Sequence, residues 1–221
     1  MFNNCDSETN GELLYYDSIK DRIDIIFDVG CRTDTLFYTF KGTVHYFDPM
    51  DDYITVLKNR FREIKPQGDY ILNSVGLGDE KAIIPYYKTY ESFYNRSITL
   101  GGNVNKDDVI FLNIVRGDEY IKSVGLENTR LGFLKIDTEG YEYRVMKGFG
   151  KYIQNFDFIQ FEYGGTYKDN GITLRQVIDY LSSQNFHNFR YLTTDGTCTI
   201  DDFNDHYQYC NIVCENKNII C

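Results

Sequence analysis

No apolar run in these 221 residues approaches the roughly 20 that a membrane-spanning helix needs. The opening stretch, MFNNCDSETNGE, is polar and lacks the charged and apolar blocks of an export signal. Positive charge is scarce: 23 Lys and Arg stand against 33 Asp and Glu, a net charge of -10. Phosphate backbones are held by clustered cations, so this balance argues against a general polyanion binder. A small or neutral substrate is expected, with no nucleic acid and no membrane. There is no internal repeat, low-complexity tract or linker, and no tryptophan. What is present, 42% hydrophobic and 16% aromatic residues, is ample for one packed core. A single cytoplasmic domain over residues 1–221 is expected, with 1–11 flexible.

Six cysteines (Cys5, Cys31, Cys198, Cys210, Cys214, Cys221) without an export signal read as reduced thiols rather than a disulfide framework. His206, Cys210 and Cys214 repeat every four residues, but a zinc site needs about four converging ligands. The segment YQYCNIVCEN reads instead as a strand, so no metal ligands are assigned.

Strand and helix patterns alternate along the chain. Residues 23–29 (IDIIFDV) form a continuous β-branched and aromatic run that breaks at Gly30, as a buried parallel strand should. A helix over 13–19 precedes it, and a short helix over 33–40, capped by Thr33 or Asp34, is expected after it. Residues 43–47 (TVHYF) are the second strand, 52–64 a crossover helix with Ile54, Leu57 and Phe61 on one face, and 69–75 the third strand. Residues 82–87 look like an added strand, and 88–106 a variable loop or lid with paired glycines. Two strands after the helix at 174–181, with no helix between them, imply an antiparallel pair at one edge.

The stretch FLKIDTEGYEYRVMKG, residues 133–148, runs from a buried strand through two acids, Asp137 and Glu139, into a helix. In open α/β sheets ligands bind at this carboxyl end of the strands. The plain alternative is that Asp137 or Thr138 only caps the helix. Asp48 ends the second strand 18 residues after Gly30, close to the spacing between a nucleotide-binding loop and a ribose-binding acid. Its plain alternative is a turn before Pro49. Glu162 closes a further strand, 156–163, on the same rim. The first loop, DVGCRTD, has one glycine, where a dinucleotide wants several and a triphosphate wants a Gly-rich loop with Lys. S-adenosylmethionine, which has adenosine but no phosphate, suits it better.

FDVG at 27–30, YFDP at 46–49, NSVGLGD at 73–79, LKIDTEGYEYRVMKG at 134–148 and FIQFE at 158–162 resemble, in order and spacing, the FkbM family of S-adenosylmethionine-dependent methyltransferases. The resemblance spans about residues 20–193. It implies a Rossmann-like class I methyltransferase fold: a mostly parallel seven-stranded sheet, helices on both faces and an antiparallel edge strand. It also implies methyl transfer to a hydroxyl of a sugar, glycan or small metabolite. By the same resemblance Asp28, Gly30 and Cys31 border the methionine end of the cofactor, Asp48 its ribose, and Asn73, Ser74 and Val75 its adenine. Asp137 and Glu139 match the acidic motif near the transferred methyl, and Ser97 matches a serine of the variable loop.

A hydroxyl is a poor nucleophile, so a carboxylate must accept its proton as it attacks in line. Asp137 is the first choice, followed by Glu139 and Glu162. A divalent metal held by these acids would also lower the hydroxyl's pKa, though none is predicted. Where the family has Ala, Asn and a second Gly, this chain has Cys31, Arg32 and Asp34. That departure motivates an alternative, a methyltransferase-like binding protein with weak or lost catalysis.

Overall fold

A computed structural model describes residues 6–103, 105–200 and 202–218; Cys5 and Cys221 lie outside them. The strands are β1 (Ile25–Val29), β2 (Thr43–Phe47), β3 (Asp69–Asn73), β4 (Gly76–Gly78), β5 (Ala82–Tyr87), β6 (Val109–Arg116), β7 (Leu131–Ile136), β8 (Phe156–Tyr163), β9 (Phe186–Thr193), β10 (Gly196–Thr199) and β11 (Cys210–Asn216). The helices are α1 (Glu12–Ile19), α2 (Asp51–Ile64), α3 (Ser97–Leu100), α4 (Gly117–Ser123), α5 (Glu142–Gly148), α6 (Gly165–Asn170) and α7 (Leu174–Ser183).

The main sheet has eight strands, not seven, in the order β10-β9-β11-β8-β7-β1-β2-β3. From β8 to β3 all pairings are parallel. β11 is antiparallel to both β8 and β9, and the edge strand β10 is antiparallel to β9, so the antiparallel edge expected from the sequence is present and is three strands wide. The eighth strand arises because the turn at Thr194-Asp195 folds β10 back on β9 as a tight hairpin. β4, β6 and β5 form a separate three-stranded sheet, so the added strand at 82–87 does not extend the main one.

Alternation along the central strands divides the interior in two. Phe27, Val29, Leu134 and Ile136 face one apolar cluster, while Ile26 and Phe133 face the other. The helix expected over 33–40 does not form. Its layer is taken by α1, whose Tyr16 meets Phe37 and Phe40 with ring centroids 5.1 and 6.4 Å apart. The two phenylalanines are buried from an irregular loop instead. Residues 6–11 turn into α1, and Asn10 is fully buried. Within 88–106 the chain makes a 3-10 turn at Lys88–Tyr90, a bridge between Tyr87 and Ser92, and α3. No helix among the described residues is long and apolar enough to cross a membrane.

Candidate active site

β1, β2 and β7 end together, and the first cavity opens above them. Phe47, Met50, Tyr53, Leu77, Phe93 and Tyr141 give it an apolar, ring-lined wall; Gly30, Asp48, Asp137 and Glu139 supply its polar side. Gly30 sits at φ 87, and a Cβ there would lie 1.8 Å from the carbonyl oxygen of Asp137. Any side chain would break the contact between the first loop and the end of β7. The loop is anchored by Gly30 N donating to Phe47 O at 2.8 Å.

Asp48 is buried and accepts from Arg32 N at 3.0 Å and Met50 N at 2.9 Å. Burial pushes its carboxyl up to about 6 against the pull of these two donors. Each oxygen retains acceptor capacity for a diol.

The acids after β7 are sorted by their neighbours. Asp137 is half-buried, and desolvation would raise its pKa, but Lys135 at 3.4 Å and a hydrogen bond from Glu162 outweigh that and hold it below the usual range. Glu162 carries the opposite shift: burial and then Asp137 keep it protonated well above the usual range. Burial, then the charges of Asp137 and Glu142, push Glu139 up to about 7. Asp137, Glu139 and Glu162 each offer a carboxylate oxygen within 4.8 Å of the others, close enough to share a cation.

Glu139 is held in a left-handed conformation, φ 57, followed by Gly140 at φ 103. Three side chains hold this turn. Glu142 Oε1 accepts from Thr138 N, Thr138 Oγ1 and Gly140 N at 2.9, 3.0 and 3.1 Å. Ser92 Oγ donates to Glu139 O at 3.1 Å, and Asn170 Nδ2 to Gly140 O at 2.6 Å. Neither Asp137 nor Thr138 caps α5, which begins at Glu142 with Tyr141 at its N-cap and no side-chain cap, so capping does not explain these residues. A non-glycine residue held at positive φ by its surroundings is a common mark of a functional turn.

A second, polar cavity lies on the α1 side of β1, lined by Glu12, Asp28, Cys31, Asp34, Lys135 and Asp137 among others. It shares Gly30, Arg32 and Asp137 with the first.

Of the residues singled out from sequence, Gly30, Asp48, Asp137 and Glu139 meet in the first cavity; Asp28 and Cys31 line the second. Glu162 reaches the acids from β8. Asn73, Ser74 and Val75 line neither cavity. Asn73 Nδ2 is turned to Tyr46 O at 2.9 Å, Ser74 Oγ bonds Asp51, and the wall there is Gly76 and Leu77. Ser97 lines neither cavity, its backbone N donating to Asn95 Oδ1. Sequence reasoning missed Ser92, Glu142 and Lys135. Only Glu142, an acid in the first turn of a helix, and Lys135, a charge inside an apolar run, left a visible signal. His45 is packed away, bonded to Tyr120 Oη at 2.8 Å, and His206 pairs with Tyr191 while Cys210 and Cys214 are buried in β11.

Residues 28–191 match the model of the methyltransferase FkbM domain. The chain belongs to the FkbM methyltransferase family. Methyl transfer from S-adenosylmethionine is the activity that membership carries. Among solved structures, the FkbM methyltransferase of Methylobacillus flagellatus is 14% identical at TM-score 0.52, over 86% of this chain but 43% of its own. This chain thus spans under half of that relative. A Streptococcus mutans protein crystallised in complex with S-adenosylhomocysteine is 12% identical at TM-score 0.52, over 93% of this chain and 97% of its own. An rRNA methylase from Streptococcus thermophilus is 10% identical at TM-score 0.50, over 92% and 94%. At these identities the likeness is one of fold. No curated protein matches the chain.

Proposed function

We propose that this FkbM-family chain is an O-methyltransferase for a sugar, glycan or small metabolite, with Glu139 as the proton acceptor. The observation that carries the reading is a single cleft holding a glycine cradle, a buried ribose-type acid and a carboxyl pushed up to about 7 on a left-handed turn.

The residues present fit S-adenosylmethionine. The ring-lined wall suits adenosine, Asp48 suits the ribose diol, and Gly30 lets the first loop lie against the end of β7 in the wall of the cleft. When bound, that cofactor supplies an electrophilic methyl group. Glu139 faces the same cleft and titrates near neutrality, where a general base combines a deprotonated fraction with useful proton affinity. Asp137, paired with Lys135, is the weaker base and serves better as a fixed negative charge. Its bond from Glu162 keeps the second acid protonated and Asp137 ionised.

The unusual first loop supports cofactor binding rather than its loss. Arg32 is drawn to the rim by Glu91 and Tyr53, and Asp34 is held by Arg60 at 2.6 Å and Tyr38 at 2.7 Å. Calorimetry with S-adenosylmethionine and S-adenosylhomocysteine tests the reading; no binding of either at millimolar concentration overturns it. Binding with no turnover on any hydroxyl acceptor would favour the binding-protein alternative motivated by Cys31, Arg32 and Asp34. An RNA acceptor is disfavoured by the net charge of -10, and retention on RNA at physiological salt would revive it.

A further inference from the structure

We propose that the free edge of β3 is the contact between two copies of this chain, paired antiparallel about a two-fold axis at Ile71. The inference is independent of the cofactor reading above.

The main sheet ends on β10 at one side and on β3 at the other. β10 is a short polar strand, GTCT, whereas β3, DYILN, has a charge only at its first residue and neither a proline nor a bulge. Natural edges usually carry such devices, because an unpaired strand captures other chains. Asp69 N donates to Gly42 O at 3.1 Å and Asn73 O accepts from Asp48 N at 3.2 Å, so residues 69, 71 and 73 turn their backbone groups to β2. Tyr70 and Leu72 therefore turn theirs outward. Side chains on both faces of this edge are uncovered. Tyr70 is 41% exposed on the α2 face, against Phe61, and Ile71 is 40% exposed on the other, beside His45 of β2.

This edge fits itself. In the antiparallel arrangement Tyr70 falls opposite Leu72 of the second copy, and each such pair exchanges two backbone hydrogen bonds. Ile71 meets Ile71 of the second copy as the non-hydrogen-bonded pair between them, where side chains approach most closely. Asp69 falls opposite Asn73 of the second copy, so no like charges meet.

The helix over the edge has a matching order of charge. α2 links two parallel strands and so runs antiparallel to β3. Its flank toward the edge is marked by Asp51, bonded to Ser74 just past β3; the opposite flank is marked by Arg60, paired with Asp34 from the loop after β1. Thr55, Lys58 and Arg62 follow Asp51 at helical spacing, and all four are exposed. That flank thus runs from an acid at its N-terminal end to bases toward its C-terminal end. The axis that pairs β3 lays α2 beside α2 of the second copy in the opposite direction, with Asp51 facing Arg62 on both sides. The two helix dipoles are opposed as well. A uniformly acidic or basic partner would match half of this stripe; a second copy matches both halves. A five-residue strand with one helix flank is a small interface, so a dimer dissociating in roughly the micromolar range is expected.

Sedimentation velocity of the full chain from about 1 to 200 μM tests this, and the mass should rise from one chain to two. Ile71→Lys sets two ammonium groups face to face on the axis and should stay monomeric throughout. Its melting temperature should match that of dilute wild type, because the side chain is already 40% exposed. Arg62→Asp should weaken the dimer about ten-fold, and adding Asp51→Arg should restore it, a rescue that misfolding cannot imitate. On mild oxidation Ile71→Cys should link position 71 of one chain to position 71 of the other, since those Cα atoms lie about 4.5 Å apart. Asp69→Cys should not link to itself, its like positions lying about 14 Å apart. A wild type that is monomeric at every concentration overturns the proposal, as does a dimer that survives Ile71→Lys. Species growing beyond two chains also overturn it, because a two-fold contact closes on itself.

Discussion

Arg32 Nη2 donates to Glu91 Oε2 across 2.9 Å, tying the loop after β1 to the 3-10 turn after β5 at the rim of the first cavity. Both side chains are half exposed, so the pair is worth only about 0.2–1 kcal/mol and is screened by salt. It is a weak latch across the entrance. Glu91→Gln should speed dissociation of S-adenosylhomocysteine about two- to five-fold in stopped-flow measurements. Raised salt should do the same to the wild type and add nothing in the variant. Dissociation insensitive to both would exclude the latch.

Glu139→Gln should lower turnover by about 10²- to 10⁴-fold while S-adenosylhomocysteine affinity stays within about two-fold. The wild-type kcat/KM should rise with pH through about 7 as Glu139 loses its proton. That limb should vanish in the variant. A limb that persists there would move the proton acceptor to another residue.

Asp48→Ala should act the other way, weakening S-adenosylhomocysteine about ten-fold by removing an acceptor for the ribose. Because Asp48 also fixes Arg32 N and Met50 N, a modest loss of thermal stability should accompany it. Calorimetry on Asp48→Ala and Glu139→Gln side by side checks the division. Equal weakening in both would contradict it.

The ligand-free chain should lose stability as pH rises. Asp28, Glu139 and Glu142 are pushed up to about 7 and Asp48 to about 6, burial being the largest cause in each. With folded-state values above unfolded ones, the folded chain holds more protons between about pH 4 and pH 7, so stability falls across that window. Moving one carboxyl from 4.5 to about 7 corresponds to roughly 3 kcal/mol, and neighbouring acids do not add independently. Asp79 and Asp137, held below their usual values, act oppositely and lose their contribution under acid. Melting temperatures measured from pH 3 to pH 8.5 should therefore be highest near pH 4 and fall towards pH 7, and a plateau from 5 to 8 would show that these acids are hydrated.

Much of this architecture could be read in the chain. Runs such as IIFDV and FLKI announce themselves because buried parallel strands are continuously apolar, and acids at their ends stand out. Gly76–Gly78, by contrast, looks like a turn by composition and becomes a strand only because β6 pairs with it. The missing helix after β1 was illegible for a similar reason: α1, from earlier in the chain, already fills that layer through Tyr16. Asp137 and Glu139 look equivalent in DTEG, and only Lys135, Glu162 and Glu142 separate their basicities. The polar cavity could not be foreseen at all, since Glu12 in its wall is fixed by Asn211, 199 positions away.

That last pairing bears on how the protein is made. β11 is the last of the described strands, yet it lies inside the sheet, between β8 and β9. Until it is synthesised, the parallel half of the sheet and the β9–β10 hairpin face each other across an open slot, each with an unpaired edge able to capture another chain. Pairings this distant in sequence close slowly. Glu12, which faces Lys135, is thus tied down by Asn211 only after β11 enters its slot. A ribosome halted before Cys210 would hold a chain with the DTEG turn already made and Glu12 still without the Asn211 amide that fixes it.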